Sequence, residues 1–288
     1  MGSVDGGKMT VDLPLPDLEL GDHVCAPFSS GEQQLADTVV FTERALQRGG
    51  RVVVFTETVT PQAMWEWLGA RLPSFAPAVE DGRVKVLACR DVYLADDVFD
   101  PARMMARFAA ETENAERQGH AGLWAIVDMA WSLRDVPGTE LLFDYEADAN
   151  PAFAQRRTTA VCQYDRRLFS TQAVDRASRA HPLTPGEAPL RFVATADPPG
   201  LVLTGEVDLS NRDALAAILK ALALVDGEVT IDATGLTFAD VRAAHLLAGA
   251  AAGRTGRTVI VGSACLARLL HILGDDTLAG VTVREIAV

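Results

Sequence analysis

What this sequence lacks narrows its role first. No apolar run approaches the roughly 20 residues a membrane-spanning helix needs; the longest, residues 123–127 and 243–252, fall far short. Basic charge is scarce: 39 acidic residues face 26 basic ones in a chain of 288, a formal net charge of −13. Nucleic-acid surfaces carry the opposite balance, so a direct nucleic-acid partner is excluded. Cys25, Cys89, Cys162 and Cys265 lie far apart with no CxxC pair, which argues against a disulfide framework and for a reduced, cytoplasmic protein. The first residues have neither a basic start nor an apolar core, so no secretory signal is expected. Catalytic signatures are missing too: no GxSxG, no HExxH and no local Cys-His motif. The chain is not expected to be an enzyme.

What is present divides in two. Three prolines and a glycine fall between Pro182 and Pro189, the strongest punctuation after a start (1–16) that reads as disordered. The expected organisation is a first domain over 17–182, a proline-rich linker over 183–189 and a second domain over 190–288. Up to residue 190 the chain holds 28 acidic and 18 basic residues, against 11 and 8 beyond it, so the first part carries most of the excess acid.

In the first part, apolar runs over 23–28, 51–56, 84–89, 123–129 and 159–164 alternate with helical patterns over 32–48, 61–71, 101–117, 139–149 and 170–179. Continuous apolar strands between amphipathic helices predict a mostly parallel sheet covered on both faces, an α/β domain. In the second part the turn Asp197-Pro-Pro-Gly200 joins alternating strands over 191–196 and 201–209 into a hairpin. Helices over 212–224, 240–254 and 265–273 and strands over 228–232, 258–262 and 281–286 follow, a smaller mixed sheet with helices.

The stretch Gly205-Glu-Val-Asp-Leu-Ser210, followed by residues 229–240 (VTIDATGLTFAD) and a helix, resembles a STAS domain, the module of anti-sigma factor antagonists. That resemblance implies an anti-sigma factor or related switch protein as partner, met through Asp208, Ser210, Asp240, Val241 and Arg242. In that family the strand-to-helix turn usually reads Asp-Ser-Ser-Gly, and the partner kinase phosphorylates its first serine. Here the turn is Asp240-Val241-Arg242-Ala243. Valine has no hydroxyl to take a phosphate, so the usual off-switch is expected to be absent, and Asp240 fits a helix cap. Thr234 and Thr237, read as lying on the loop before it, are the remaining hydroxyls.

The first part resembles the DcmR-like sensory domain called MEDS. The resemblance is carried by Asp22-His23-Val24-Cys25, Asp128-Met-Ala-Trp131, Tyr145-Glu146 with Asn150, Val161-Cys-Gln-Tyr-Asp-Arg166, and His181-Pro182. It implies sensing of a small organic molecule on a fold related to the RecA and KaiC ATPases, with a crevice at the carboxyl ends of the strands. The loop of residues 27–34 (PFSSGEQQ) holds no lysine and places Glu32 where a phosphate needs positive charge, so it reads as a degenerate P-loop without ATP turnover.

The residues expected to line that crevice are His23, Cys25, Glu57, Asp128, Trp131, Tyr145, Glu146, Cys162 and Tyr164. His23 and Cys25, two apart on a strand, share a face; a core cysteine and a backbone-bonded histidine explain them as well as a ligand site does. A zinc set of His23, Cys25 and Cys162 is unlike any clustered pattern, so neither metal nor cofactor is assigned. Trp131, Tyr145 and Glu146 suit a pocket of aromatic walls and placed polar groups, or else packing. Trp65 and Trp67 flank Glu66 and cannot share its face, so one of them is expected to be exposed. The acidic runs 91–100 and 144–148 read as solvated faces. The expected protein is a signalling regulator coupling a small-molecule or redox sensor to a STAS output. An enzyme using Cys25, Glu57 and Asp128, a scaffold assembling through the STAS surface, and a homodimer stay open.

Overall fold

The strands of the first sheet are the apolar runs, buried because helices cover both faces. They are β1 (His23–Phe28), β2 (Arg51–Thr56), β3 (Val84–Ala88), β4 (Leu123–Asp128) and β5 (Thr158–Asp165). All pair in parallel, in the order β1-β5-β4-β2-β3. The computed structural model describes residues 14–15, 17–252, 254–274 and 280–285. Most of the stretch 1–16 lies outside the described residues; Leu15 packs partly against the core.

Alternation along the strands sorts side chains into two cores. Val24, Val52, Val54, Ile126 and Val161 face α1 (Gly31–Gln47), α2 (Pro61–Arg71) and α3 (Phe75–Glu80) through Phe41, Leu68 and Phe75. Cys25, Val53, Phe55, Ala125, Val127, Cys162 and Tyr164 point the other way. That side is covered by α4 (Cys89–Tyr93), α5 (Pro101–Arg117), α6 (Leu142–Phe153) and α7 (Thr171–Ala180). The helix starts follow capping chemistry: the side chains of Ser30, Thr60, Asp100 and Ser170 accept backbone N–H groups at the heads of α1, α2, α5 and α7. α3 and α4 escaped the sequence reading, and Cys89, expected as the last residue of a strand, opens α4 instead. Trp65 is 41% exposed while Trp67 packs partly on the core, as their spacing required.

The second sheet holds β6 (Leu190–Ala196), β7 (Pro199–Val207), β8 (Val229–Ala239), β9 (Thr258–Gly262) and β10 (Val281–Glu285), ordered β10-β9-β8-β7-β6, with only β6 and β7 antiparallel. Its helices are α8 (Arg212–Leu222), α9 (Val241–Ala252) and α10 (Ala264–Leu273). Two expectations need correction. The hairpin turn is shorter than predicted, because β7 starts at Pro199 and Gly200 already pairs with Thr230; a Cβ on Gly200 would lie 1.8 Å from the Thr230 carbonyl oxygen. β8 continues past Asp232 to Ala239, still paired with β7, so Thr234 and Thr237 sit in a strand rather than on a loop.

The proline-rich joint is packed into the fold. Leu183 bridges to Val24, its carbonyl accepting from the Cys25 N–H at 2.9 Å. Arg191 donates to both carboxylate oxygens of buried Asp22, at 2.9 and 3.0 Å, and the Ala194 N–H donates to the Ala154 carbonyl at 2.8 Å. α6 packs on α8, and one contiguous apolar cluster runs from the first sheet's α6 face into the second sheet. Among the described residues no helix is long and apolar enough to cross a membrane.

Candidate functional site

In an open parallel sheet the ligand crevice forms where neighbouring strands send the chain in opposite directions. Here that point lies between β2 and β4, beside Glu57 and Asp128. It is closed by side chains. Asp128 accepts from the Thr58 N–H at 2.8 Å and the Thr58 hydroxyl at 2.5 Å. Glu57 accepts from Arg134 Nε at 2.6 Å, and the Cys89 thiol donates to the Asp128 carbonyl at 3.4 Å. Trp131, fully buried, stacks on Tyr93 and leans on Phe99. Glu57 and Asp128 thus bind the chain just beyond β2 and β4, Trp131 packs in the core, and none of the three lines the cavity described next.

The cavity lies on the sheet's face, beneath α5 and α6. It measures about 210 Å³ and is walled by Tyr93, Met105, Phe108, Tyr145, Ala149 and Phe153, with Val127 and Ala160 from β4 and β5. Its polar groups include His23, Glu146 and Cys162. Of the expected ligand residues His23, Tyr145, Glu146 and Cys162 meet here. Cys25 lies next to Cys162 in strand register but off the wall, and Tyr164 sits behind Glu146, donating its hydroxyl to Oε1 at 3.2 Å. The run 144–148 is not one solvated face: Asp144 and Asp148 are exposed, whereas helical rotation turns Tyr145 and Glu146 inward.

At the cavity's floor four buried side chains converge: His23, Glu146, Cys162 and His181, with one ligand-type atom from each and all four atoms within 4.8 Å of one another. Glu146 Oε2 lies 3.2 Å from His23 Nε2, 3.4 Å from His181 Nε2 and 3.6 Å from Cys162 Sγ; His23 Nε2 to Cys162 Sγ is 3.7 Å. The far nitrogens of both rings are committed. Asn150 gives its amide hydrogens to the carbonyls of Ala180 (2.8 Å) and Ala147 (2.9 Å), so its Oδ1 accepts from His23 Nδ1 at 3.0 Å. His181 Nδ1 donates to the Ala177 carbonyl at 2.8 Å. Phe153 stacks flat on His23 and fixes its plane, with centroids 4.3 Å apart.

Burial, helped by His181, holds His23 below its ordinary pKa. Burial alone would raise Glu146, but the attraction of His181 and His23 beside it pulls its carboxyl well below the usual range. Burial and the Glu146 charge push the Cys162 and Tyr164 groups up, keeping both protonated.

The second domain presents a different surface. Asp240 caps α9 by accepting from the Ala243 N–H at 2.7 Å, and its own N–H reaches the Val207 carbonyl at 3.1 Å, joining the ends of β7 and β8. Asp208 accepts from the Ser210 N–H (2.7 Å) and hydroxyl (2.6 Å). Leu209, Phe238 and Val241, each more than half exposed, stand at this end beside exposed Arg242. The Thr234 hydroxyl is bonded to Asp232 and that of Thr237 to the Gly205 carbonyl.

Sequence reasoning passed over His181 and Asn150 as site residues. The usable signal was His181-Pro182: a residue before proline is pushed out of the helical region, so α7 ends and His181 is extended, φ −106° and ψ 142°.

The family model described as MEthanogen/methylotroph, DcmR Sensory domain (MEDS) matches residues 22–182, and that described as "Mlab, STAS domain" matches residues 190–281. No curated protein matches the chain. The first match spans more than half of the 288 residues and takes in the cavity, its polar floor and the closing histidine, so the chain belongs to the MEDS family, with a STAS domain following its sensory domain.

Proposed function

We propose that the cavity under α5 and α6 receives a small organic molecule and that the STAS domain reports its presence to a partner protein of the anti-sigma factor kind. The observation that carries this reading is the double duty of α6. Tyr145, Glu146, Ala149 and Phe153 on this helix wall the cavity, while the same helix packs on α8 of the STAS domain, with Asp148 3.9 Å from Lys220. A ligand that shifts α6 would be felt by α8, which gives the two sites a shared element able to hold two arrangements. Four free cysteines suit a reducing, cytoplasmic setting. Non-catalytic action fits the strand ends, where Glu57 and Asp128 are engaged in internal bonds.

Native mass spectrometry of the full chain tests the sensor. One organic molecule per chain is expected in the wild type and none in Ala149→Phe, whose ring would fill the cavity from a buried wall position. Hydrogen exchange along α8 should change in the same variant. An empty wild type whose α8 exchange ignores Ala149→Phe removes the reading.

The output surface yields a second expectation. Incubation with an anti-sigma kinase and ATP, then peptide mass mapping, should find no phosphate between residues 231 and 254, because Val241 has no hydroxyl and those of Thr234 and Thr237 are engaged by Asp232 and the Gly205 carbonyl. Phosphate on either threonine, with loss of partner binding, contradicts this.

A further inference from the structure

We infer that His23, Glu146, Cys162 and His181 form a binding site for one divalent transition-metal ion of the zinc type. Ligand atoms about 2.0–2.3 Å from a tetrahedral zinc ion stand roughly 3.3–3.6 Å apart. Four of the six separations within the set, 3.2, 3.4, 3.6 and 3.7 Å, lie close to that spacing, and the other two do not exceed 4.8 Å. The donor set of two imidazoles, a carboxylate and a thiol favours a borderline ion over magnesium or calcium, which take oxygen ligands.

The hydrogen-bonding partners point the same way. Asn150 Oδ1 and the Ala177 carbonyl engage the two Nδ1 atoms, so each ring turns Nε2 inward, the arrangement by which outer partners orient metal-binding histidines. His181 Nε2 is buried, and its 3.4 Å approach to Glu146 Oε2 lacks hydrogen-bond alignment, so nitrogen, oxygen and sulfur ligand atoms crowd one buried point. A bound cation resolves this crowding, and the Cys162 proton would be released as the thiolate binds. Cys25, weighed with His23 and Cys162 as a zinc set in the sequence and left unassigned, is not among the four, which include Glu146 from α6 and His181 from the end of α7. His23, Glu146 and Cys162 face the cavity, so the ion would lie at its floor. The inference deepens the sensory reading and rests on it only for the metal's use.

The test is made on the full chain, freed of metal with a chelator under denaturing conditions and refolded with Co²⁺ or Zn²⁺. One equivalent of Co²⁺ should bind and give thiolate-to-cobalt charge-transfer absorption in the near ultraviolet. Cys162→Ser should abolish that absorption, whereas Cys265→Ser, which alters the exposed cysteine, should leave it intact. Asn150→Leu, which removes the acceptor from His23 Nδ1, should weaken Zn²⁺ binding at least about 10-fold, the usual scale for such outer partners, and His181→Gln, which removes a ligand, should weaken it as well. A folded wild type that takes up no stoichiometric Co²⁺, or absorption that survives in Cys162→Ser, overturns the proposal even if the variants misfold. Metal content and organic adduct are read separately: a metal-free chain that still holds an organic molecule leaves the sensory reading standing, and a metal-loaded chain empty of organic ligand defeats that reading alone.

Discussion

Trp131→Ala is expected to lower the stability of the full chain by about 3–5 kcal/mol, the range of a large aromatic truncation in a packed core. Trp131 is fully buried, 4.7 Å from the ring centroids of both Tyr93 and Phe99, and Phe99 meets Tyr145 edge to face. Removing it opens a hole at the centre of this aromatic group, which the rest can fill only partly. Because Tyr93 stands between Trp131 and the cavity, ligand affinity should suffer less than stability. Urea unfolding and calorimetric titration of the same variant separate the two effects. An unchanged unfolding midpoint with lost affinity would return Trp131 to the ligand wall.

Asn150→Leu is the second large effect. Its shape is close to that of asparagine, but it deprives the Ala180 and Ala147 carbonyls of donors and His23 Nδ1 of its acceptor. A buried polar group left without a partner costs about 1–3 kcal/mol, so the sum should reach about 2–5 kcal/mol. The damage should concentrate where α6 meets the end of α7, and hydrogen exchange there should rise before the second sheet responds. A fall below about 1 kcal/mol would mean that water or side-chain rearrangement replaces the lost bonds.

The strands were legible because each is an apolar run bounded by polar turns, and the shared face of His23 and Cys25 followed from the period of two. The position of the pocket was not. A carboxylate at a strand end reads the same whether it faces a ligand or, like Asp128, grips Thr58 on the neighbouring loop. An aromatic residue just past a strand is equally ambiguous, and Trp131 fills space where a wall was expected. The floor was half visible: His23, Glu146 and Cys162 stood out, whereas His181 reaches them through the fold, and distance along the chain gives no sign of it. In the second domain the length of β8 was hidden because threonine and glycine interrupt its apolar pattern at Thr234-Gly235, although the strand stays paired with β7 through register shifts, one just before Gly235 and one at Thr237.

The position of α6 also limits how such proteins can be recombined. With one side of the helix turned to the cavity and the other to α8, the joint at 183–189 divides two sheets without dividing their core. A fragment ending at residue 182 would carry a bare apolar strip in place of α8, and it should self-associate or recruit another cover. Exchanging the output module therefore requires a newcomer whose first helix fits the back of α6. A ligand-binding half can change its message only within the set of modules that share that helix surface.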